Sequence, residues 1–206
     1  MGLVVFKLGG SLLSCVDLAA RLGTVFRQRP DDRMLIVVGG GAAADVVRDW
    51  SRLHALPEEA AHWLAIRSLS LNRALVRHLL PESREVSSRE AAESLWSEGN
   101  RPLLLDAEAC LRDAEKRDRS PLPHCWDVTS DSIAARIAAR WDADELVLLK
   151  STSLPADPTL DETIRQELVD PYFRHLANEI PRVSWCNLCE EPASIVSWLG
   201  PSPLKH

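Results

Sequence analysis

Two lysines, two glycine turns and a pair of aspartates are the residues of this chain whose types and spacing can do chemistry. Lys7 interrupts an apolar run that begins Leu3, Val4, Val5, Phe6, and Gly9, Gly10 and Ser11 follow it. An ammonium inside such a run is costly unless it meets an anion, and glycines remove the side chains that keep an anion away from backbone amides. Ser11 is a good N-cap for the segment that follows. Strand, glycines and helix start make an anion site of a general kind, although taken alone they read equally well as a turn whose lysine reaches solvent. The Walker pattern is excluded, because there the lysine comes after the glycines. Gly39, Gly40 and Gly41 repeat the arrangement behind a second apolar run, residues 34–38. Asp127 and Asp131 flank a third helix start, where carboxylates are stabilised and can also be turned to chemistry; Ser130 between them reads as a cap. Lys150 closes the apolar run 145–149 as Lys7 closes the first.

Open parallel sheets bind ligands at the C-terminal ends of their strands, so these groups converge on one edge and fit a site for several phosphates. Phosphoryl transfer asks for cations and amide donors around the moving group and an acceptor placed in line. Lys7 would offset charge developing on the transferred group, with one glycine turn for the donor phosphates and the other for the acceptor. Asp131 either holds the lysines in position or binds magnesium, which bridges donor phosphates. No histidine or other base is required when the acceptor is already an oxyanion.

The elements that position these groups follow from periodicity. A helix is expected from Ser11 to about Gln28 with Leu12, Val16, Ala19, Leu22 and Val25 or Phe26 as its stripe. Another is expected after Gly41, with Val46, Trp50 and Leu53 on one face and Asp45, Arg48, Asp49 and Arg52 on the other. A long helix starts at Pro57 with Leu64, Leu71, Leu75 and Leu79 as its buried stripe and His62, Trp63 and Arg67 off it or beside it. Then come a short segment around Val86, a helix over 88–96, a strand over 102–105, a helix over 106–117 and an exposed loop over 117–123. Ile133, Ile137 and Trp141 mark the next helix. After Lys150 the pattern gives a helix near 161–168, a strand over 183–186, a closing helix over 192–199 and a frayed tail at 201–206. Two strand, glycine turn and helix units in succession are the signature of a parallel sheet with crossover helices.

Composition bounds the rest. At 206 residues the chain can bury one sizeable core, so a single domain over 1–206 is expected. A formal charge of -6 argues against a general nucleic-acid binder. No apolar run approaches a membrane span, and the N-terminus lacks the basic flank of a signal peptide, so no membrane association and a cytoplasmic location are expected. Five cysteines, an odd number, read as free thiols. Cys186 and Cys189 form one CxxC with no second pair to complete four ligands, so structural cysteines and no zinc site are expected, and no residue is assigned as a metal ligand.

Val4-Val-Phe-Lys-Leu-Gly-Gly-Ser11, Val37-Val-Gly-Gly-Gly41, Asp127-Val-Thr-Ser-Asp-Ser-Ile-Ala-Ala135 and Leu146-Val-Leu-Leu-Lys150 resemble, in order and approximate spacing, the motifs of the amino acid kinase superfamily. The resemblance covers residues 1 to about 151. It implies a three-layer α/β/α sandwich around a mostly parallel sheet, with an acceptor half over about 1–120 and a shortened nucleotide half over about 121–206. It implies ATP and Mg2+ as donor and cofactor, a small phosphate substrate and a homo-oligomer. Lys7 matches the family's phosphate-stabilising lysine, Asp131 the aspartate that organises the catalytic lysines, and Lys150 a lysine of the uridylate-kinase-like branch that reaches the nucleotide. Gly9, Gly10, Ser11, Gly39, Gly40 and Gly41 then fall on the phosphate and acceptor side, and Asp127, Thr129, Ser130, Lys150 and Ser151 on the nucleotide side.

Gly39-Gly-Gly-Ala-Ala-Ala-Asp-Val-Val-Arg48, Ala61-His-Trp-Leu-Ala-Ile66 and Leu168-Val-Asp-Pro-Tyr-Phe173 further resemble the kinases of methanofuran biosynthesis, which phosphorylate (5-(aminomethyl)furan-3-yl)methyl phosphate. By that analogy Asp45, Arg48, His62 and Trp63 line the acceptor pocket; helix packing is the other reading of His62 and Trp63, and a solvated surface charge that of Arg48. The chain departs from the family after Lys150, where Ser151-Thr-Ser-Leu-Pro155 replaces a Val-Asp-Gly turn, and it lacks a counterpart of the Gly-Gly-Met and lysine segment. A phosphotransferase for a small phosphate monoester is the reading that results. The alternatives are a non-catalytic binding or regulatory relative and a kinase for a carboxylate or nucleotide.

Overall fold

The computed structural model describes residues 2–117 and 120–200. The expected frayed tail 201–206, and residues 118 and 119 of the loop 117–123, lie outside the described residues. The described strands are β1 (Leu3–Leu8), β2 (Arg33–Val38), β3 (Arg84–Val86), β4 (Leu103–Leu105), β5 (Glu145–Lys150), β6 (Val183–Asn187) and β7 (Val196–Leu199). They form one sheet in the order β3-β4-β2-β1-β5-β6-β7, parallel throughout except for β6 against β7. β1 is the pivot, buried along its whole length, with Lys7 opposite Val37 of β2 and Leu148 of β5. The chain leaves β1 toward β2 and the β3 and β4 edge, then returns past it to β5 and β6. A sheet of this kind takes its ligand at the C-terminal edge beside that reversal, where Gly9, Gly39 and Lys150 stand.

Alternation along β1 divides its side chains between two layers. Val4, Phe6 and Leu8 pack with Leu18, Leu22, Val25 and Phe26 of α1 (Leu18–Phe26). Leu3 and Val5 belong to the other cluster, built with α3 (Glu58–Leu79), α4 (Arg89–Glu98), α5 (Ala107–Arg117) and α6 (Ser130–Arg140). The result is the expected three-layer α/β/α sandwich. Lys7 shares the second face by the same alternation, which directs it at α6. Ser88 caps α4, and Thr159 with Glu162 forms a capping box on α7 (Leu160–Arg165), which ends earlier than periodicity places it. No helix among the described residues is long and apolar enough to cross a membrane.

Several expectations change. Residues 12–28 are not one helix: Gly10–Ser14 is a 3-10 turn, and α1 starts only at Leu18. The break shifts the helical phase, so Val16 is fully exposed and Leu18 takes the buried place, while Ser11 lies inside the turn and Gly9 is its cap. In α2 (Gly41–His54), Val46, Trp50 and Leu53 face solvent and Val47 is the buried residue. In α3, Leu71 and Leu75 are exposed and Leu64 and Leu79 half-buried; His62, Ile66, Leu69, Asn72 and Val76 form the buried row. The reason lies in the glycine turn beneath: Asn72 Nδ2 donates to the Gly39 and Gly40 carbonyls, each at 2.7 Å. Buried carbonyls demand a partner, which an amide supplies and a leucine cannot. Residues 192–199 are not a closing helix, because β7 pairs with β6 there. Ile195, Val196 and Trp198 suit a strand, and the pairing covers what would otherwise be an open sheet edge.

The two glycine turns touch. A Cβ on Gly10 would lie 2.1 Å from the Gly41 nitrogen, and Gly41, at φ +47°, would place its own Cβ 2.6 Å from the Gly10 carbonyl. Backbone against backbone cannot give way as a side chain can, so glycine is required at both. Gly10→Ala should lower stability by about 2 kcal/mol or more, read as a drop in urea midpoint at unchanged slope. Gly23→Ala, in α1 with only an arginine tip at 3.5 Å, should instead be neutral or add up to about 1 kcal/mol.

Candidate active site

At the C-terminal edge of the sheet one carboxylate lies between two ammoniums. Lys7 Nζ is 2.8 Å from Asp131 Oδ1, and Lys150 Nζ is 2.9 Å from both Asp131 oxygens. Lys150 also donates to the Leu168 carbonyl at 2.6 Å. The sequence builds this directly: β1 and β5 are neighbouring parallel strands that deliver the lysines, and α6 packs on β1 with Asp131 in its first turn. Burial opposes the charge on Asp131, but Lys150 and then Lys7 outweigh it and hold the carboxyl down at about 2. Burial is also the largest influence on Lys150 and pushes it down to about 8; Asp131 pulls it up and Lys7 pushes it down again. Two cations against one anion leave a positive charge for a ligand to meet.

Asp170 is the functional neighbour that sequence reading missed. Its carboxylate accepts from the Thr129 N–H at 2.9 Å, Thr129 Oγ1 at 2.7 Å, the Ser132 N–H at 3.0 Å, the Phe173 N–H at 3.0 Å and Ser132 Oγ. It thereby ties the start of α6, and Asp131 with it, to the 3-10 turn Pro171–His175. Burial, reinforced by Asp131, pushes its carboxyl up against the pull of these hydrogen bonds. The one signal available was an aspartate directly before Pro171, a cap pattern.

The surroundings of these carboxylates bear on magnesium. Both ammoniums stand against Asp131 Oδ1, at 2.8 and 2.9 Å, and Asp170 accepts from five donors, so a hard cation would have to displace a lysine or these donors to reach either one. The donor set does not fit direct ligation by protein, and of its two expected roles Asp131 takes the one of holding the lysines.

A cavity of about 200 Å³ opens beside Lys7. Gly10, Gly40 and Gly41 form part of its wall, Ile66, Leu69, Val128 and Ile133 an apolar part, and Asp45, Arg48, Glu58 and His62 a polar part. Arg48 pairs with Asp45 at 2.5 Å and lies 4.8 Å above the Trp126 ring, so it is a built contact. His62 is held down to about 4, by burial first and then by the charges of His124 and Arg112, which keeps its imidazole neutral. Thr129 and Ser130, expected on the nucleotide side, line this same cavity.

Other expected site residues are used differently. The Gly9 and Gly39 N–H groups donate to the Leu149 and Leu8 carbonyls at 2.9 and 2.8 Å, so they extend the sheet. The amides that open α2, at Gly40 and Gly41, remain in the position where a helix leaves donors without internal partners. Ser11 and Ser151 meet, Oγ to Oγ at 3.1 Å. Asp127 is exposed, outside the cavity wall, and its carbonyl accepts from the Tyr172 N–H at 3.1 Å. Removing the shared charge should be costly: Asp131→Asn leaves two buried ammoniums facing each other and should lower stability by about 3–5 kcal/mol, measured by urea denaturation at pH 7.

The model of the family described as "Amino acid kinase family" matches residues 2–166. Among solved structures, the chain is similar to uridylate kinase from Archaeoglobus fulgidus, at 19% identity and TM-score 0.61 with 89% of each chain covered. UMP kinase from Ureaplasma parvum aligns at 13% identity and TM-score 0.64 over 93% of this chain and 92% of its own. Aspartate kinase from Synechocystis aligns at 16% identity and TM-score 0.64, over 96% of this chain and 40% of its own. No curated protein sequence matches. With its family model matched over residues 2–166 and its fold shared with these kinases, the chain belongs to the amino acid kinase family.

Proposed function

We propose that this protein transfers a phosphoryl group from ATP to a small phosphate monoester, with (5-(aminomethyl)furan-3-yl)methyl phosphate as the acceptor. The observation that carries the reading is the pair of buried lysines locked on Asp131, with Lys7 opening into a cavity shared with two glycine turns. An acceptor phosphate oxygen attacks the terminal phosphorus of ATP, and the bond to the bridging oxygen breaks to release ADP. Lys7 meets the charge that spreads over the transferred group, while Lys150 holds donor phosphates; neither moves a proton, because the nucleophile is already an anion. Asp131 keeps the ammoniums in place before the substrates arrive, so no reorganisation is required during the step. Magnesium, when it accompanies ATP, neutralises phosphate charge.

The cavity supports the choice of acceptor. Its glycine-lined wall suits a phosphate, its apolar wall a flat ring, and its carboxylates an ammonium. Asp45 follows Gly41 by four residues, about 6 Å along α2 at 1.5 Å per residue, a separation that a phosphate and an amine on one small ring can span. For the nucleotide, a cleft of about 250 Å³ bordered by Leu154, Pro155, Asp157, Pro158, Val196, Ser197 and Trp198 is the candidate, with a largely polar lining and the Trp198 indole at its edge. The buried Trp185 indole packs between the cleft and Lys150: Lys150 Nζ lies 5.5 Å from the Trp185 ring centre, and Trp185 meets Trp198 edge-on at 5.8 Å.

Measuring ADP release with ATP, magnesium and a panel of acceptors tests this. The aminomethylfuran phosphate should be used in preference to carboxylates and nucleoside monophosphates; turnover of another class would replace the acceptor, and ligand binding with no turnover of any would establish a non-catalytic relative. Lys7→Ala should lower kcat by about 10²–10³-fold, and near-normal turnover would remove Lys7 from the mechanism. Lys150 is charged below about pH 8 and neutral above it, so kcat/KM for ATP should fall as pH rises through 8. Lys150→Arg, which stays charged, should lose that alkaline limb.

A further inference from the structure

We propose that His62, Glu115 and His124 form a binding site for one first-row transition-metal cation, Zn2+ above others, which clamps the wall of the cavity. Their ligand atoms, from three separate segments of the chain, all lie within 4.8 Å of one another. Donors around a tetrahedral zinc stand about 3.3 Å apart, given bonds of about 2.0–2.2 Å, so closing the set draws the ligand atoms together and turns the stacked imidazoles out of parallel until a nitrogen of each points at the ion. His124 Nε2 and Glu115 Oε1 already meet at 2.6 Å, and the two imidazoles stack with ring centres 4.2 Å apart. A void of about 20 Å³ bordered by His62, Glu115, Leu122 and Arg136 adjoins them, room for one ion or water.

The surroundings are those of a supported site. Trp63 packs edge-on against both imidazoles, at 5.2 and 5.5 Å, and Arg112 covers the other part of that indole at 3.7 Å while Glu108 holds Arg112 at 3.0 Å. These ring contacts limit the freedom of both imidazoles. Arg136 borders the void, so charge attraction alone is weak there and affinity must come from imidazole donation. That favours Zn2+ over Mg2+ or Ca2+, which take oxygen ligands.

The site would join α3, α5 and the segment carrying Cys125, Trp126 and Val128, three residues of the cavity wall. Zn2+ would therefore hold that wall against α3. An imidazole has two nitrogens, so coordination through one leaves the other edge of His62 for an acceptor.

Titration of the full-length, chelator-stripped protein with ZnCl2 by calorimetry tests this without recourse to turnover. One equivalent should bind, with Mg2+ and Ca2+ failing to compete, and His124→Ala and Glu115→Gln should each weaken it about 100-fold. Both side chains are mostly buried and pair with each other, so each variant's own urea midpoint in chelator is the baseline from which its response to Zn2+ is read. Zn2+ should raise the melting temperature of the wild type and leave that of His124→Ala unchanged. Absence of binding, or a site that survives both substitutions, such as a thiol site at Cys189, would overturn the proposal.

Discussion

Two ammoniums held close together in a low-dielectric interior repel strongly unless an anion lies between them, and this constraint governs the architecture. Asp131 satisfies it by contacting Lys7 and Lys150 at once. The demand reaches outward: β1 and β5 must be neighbours, α6 must begin over β1, and that helix start must be fixed, which Asp170 does through the first turn of α6 and the 3-10 turn beyond it. A local electrostatic requirement thus ties the first strand to a segment more than 160 residues later, counting from Lys7 to Asp170.

The contact between Gly10 and Gly41 serves the same edge from the other side. It brings the start of α2 against the end of β1, so the first residues of that helix and Lys7 line one cavity. Backbone amides and paired lysines are fixed dipoles and charges. They need no rearrangement when phosphate charge develops, which is the physical basis for assigning the centre to phosphoryl transfer.

The parallel sheet, its central strand and the lysine and aspartate centre were legible because each leaves a local mark: an apolar run ended by a lysine, a glycine turn, an acid at a helix start. Strand-end logic brought Lys7, Asp131 and Lys150 to one edge, and the resemblance to the family added which of two roles Asp131 takes. What sequence did not yield depended on packing against the backbone. The buried face of α3 is set by Asn72 bonding to glycine carbonyls, so counting leucines chose the wrong row. The break at Cys15 to Asp17 moved the phase of α1 and left Val16 in solvent. The last strand, β7, carries only the weak signal of Ile195, Val196 and Trp198, and is decided by the open edge of β6, a tertiary demand. Asp170 lay in a segment read by resemblance alone, and four of its five hydrogen bonds come from Thr129 and Ser132 at the distant start of α6.

A crystal structure with a non-hydrolysable ATP analogue and a phosphate acceptor tests the central claim most directly. It should place the terminal phosphate of the nucleotide within hydrogen-bond distance of Lys7 Nζ, other donor phosphates on Lys150 Nζ, and the acceptor phosphate at the Gly40 and Gly41 amides, with Asp131 still between the lysines. Nucleotide phosphates bound away from both lysines, or a magnesium ion coordinated directly by Asp131, would contradict the account.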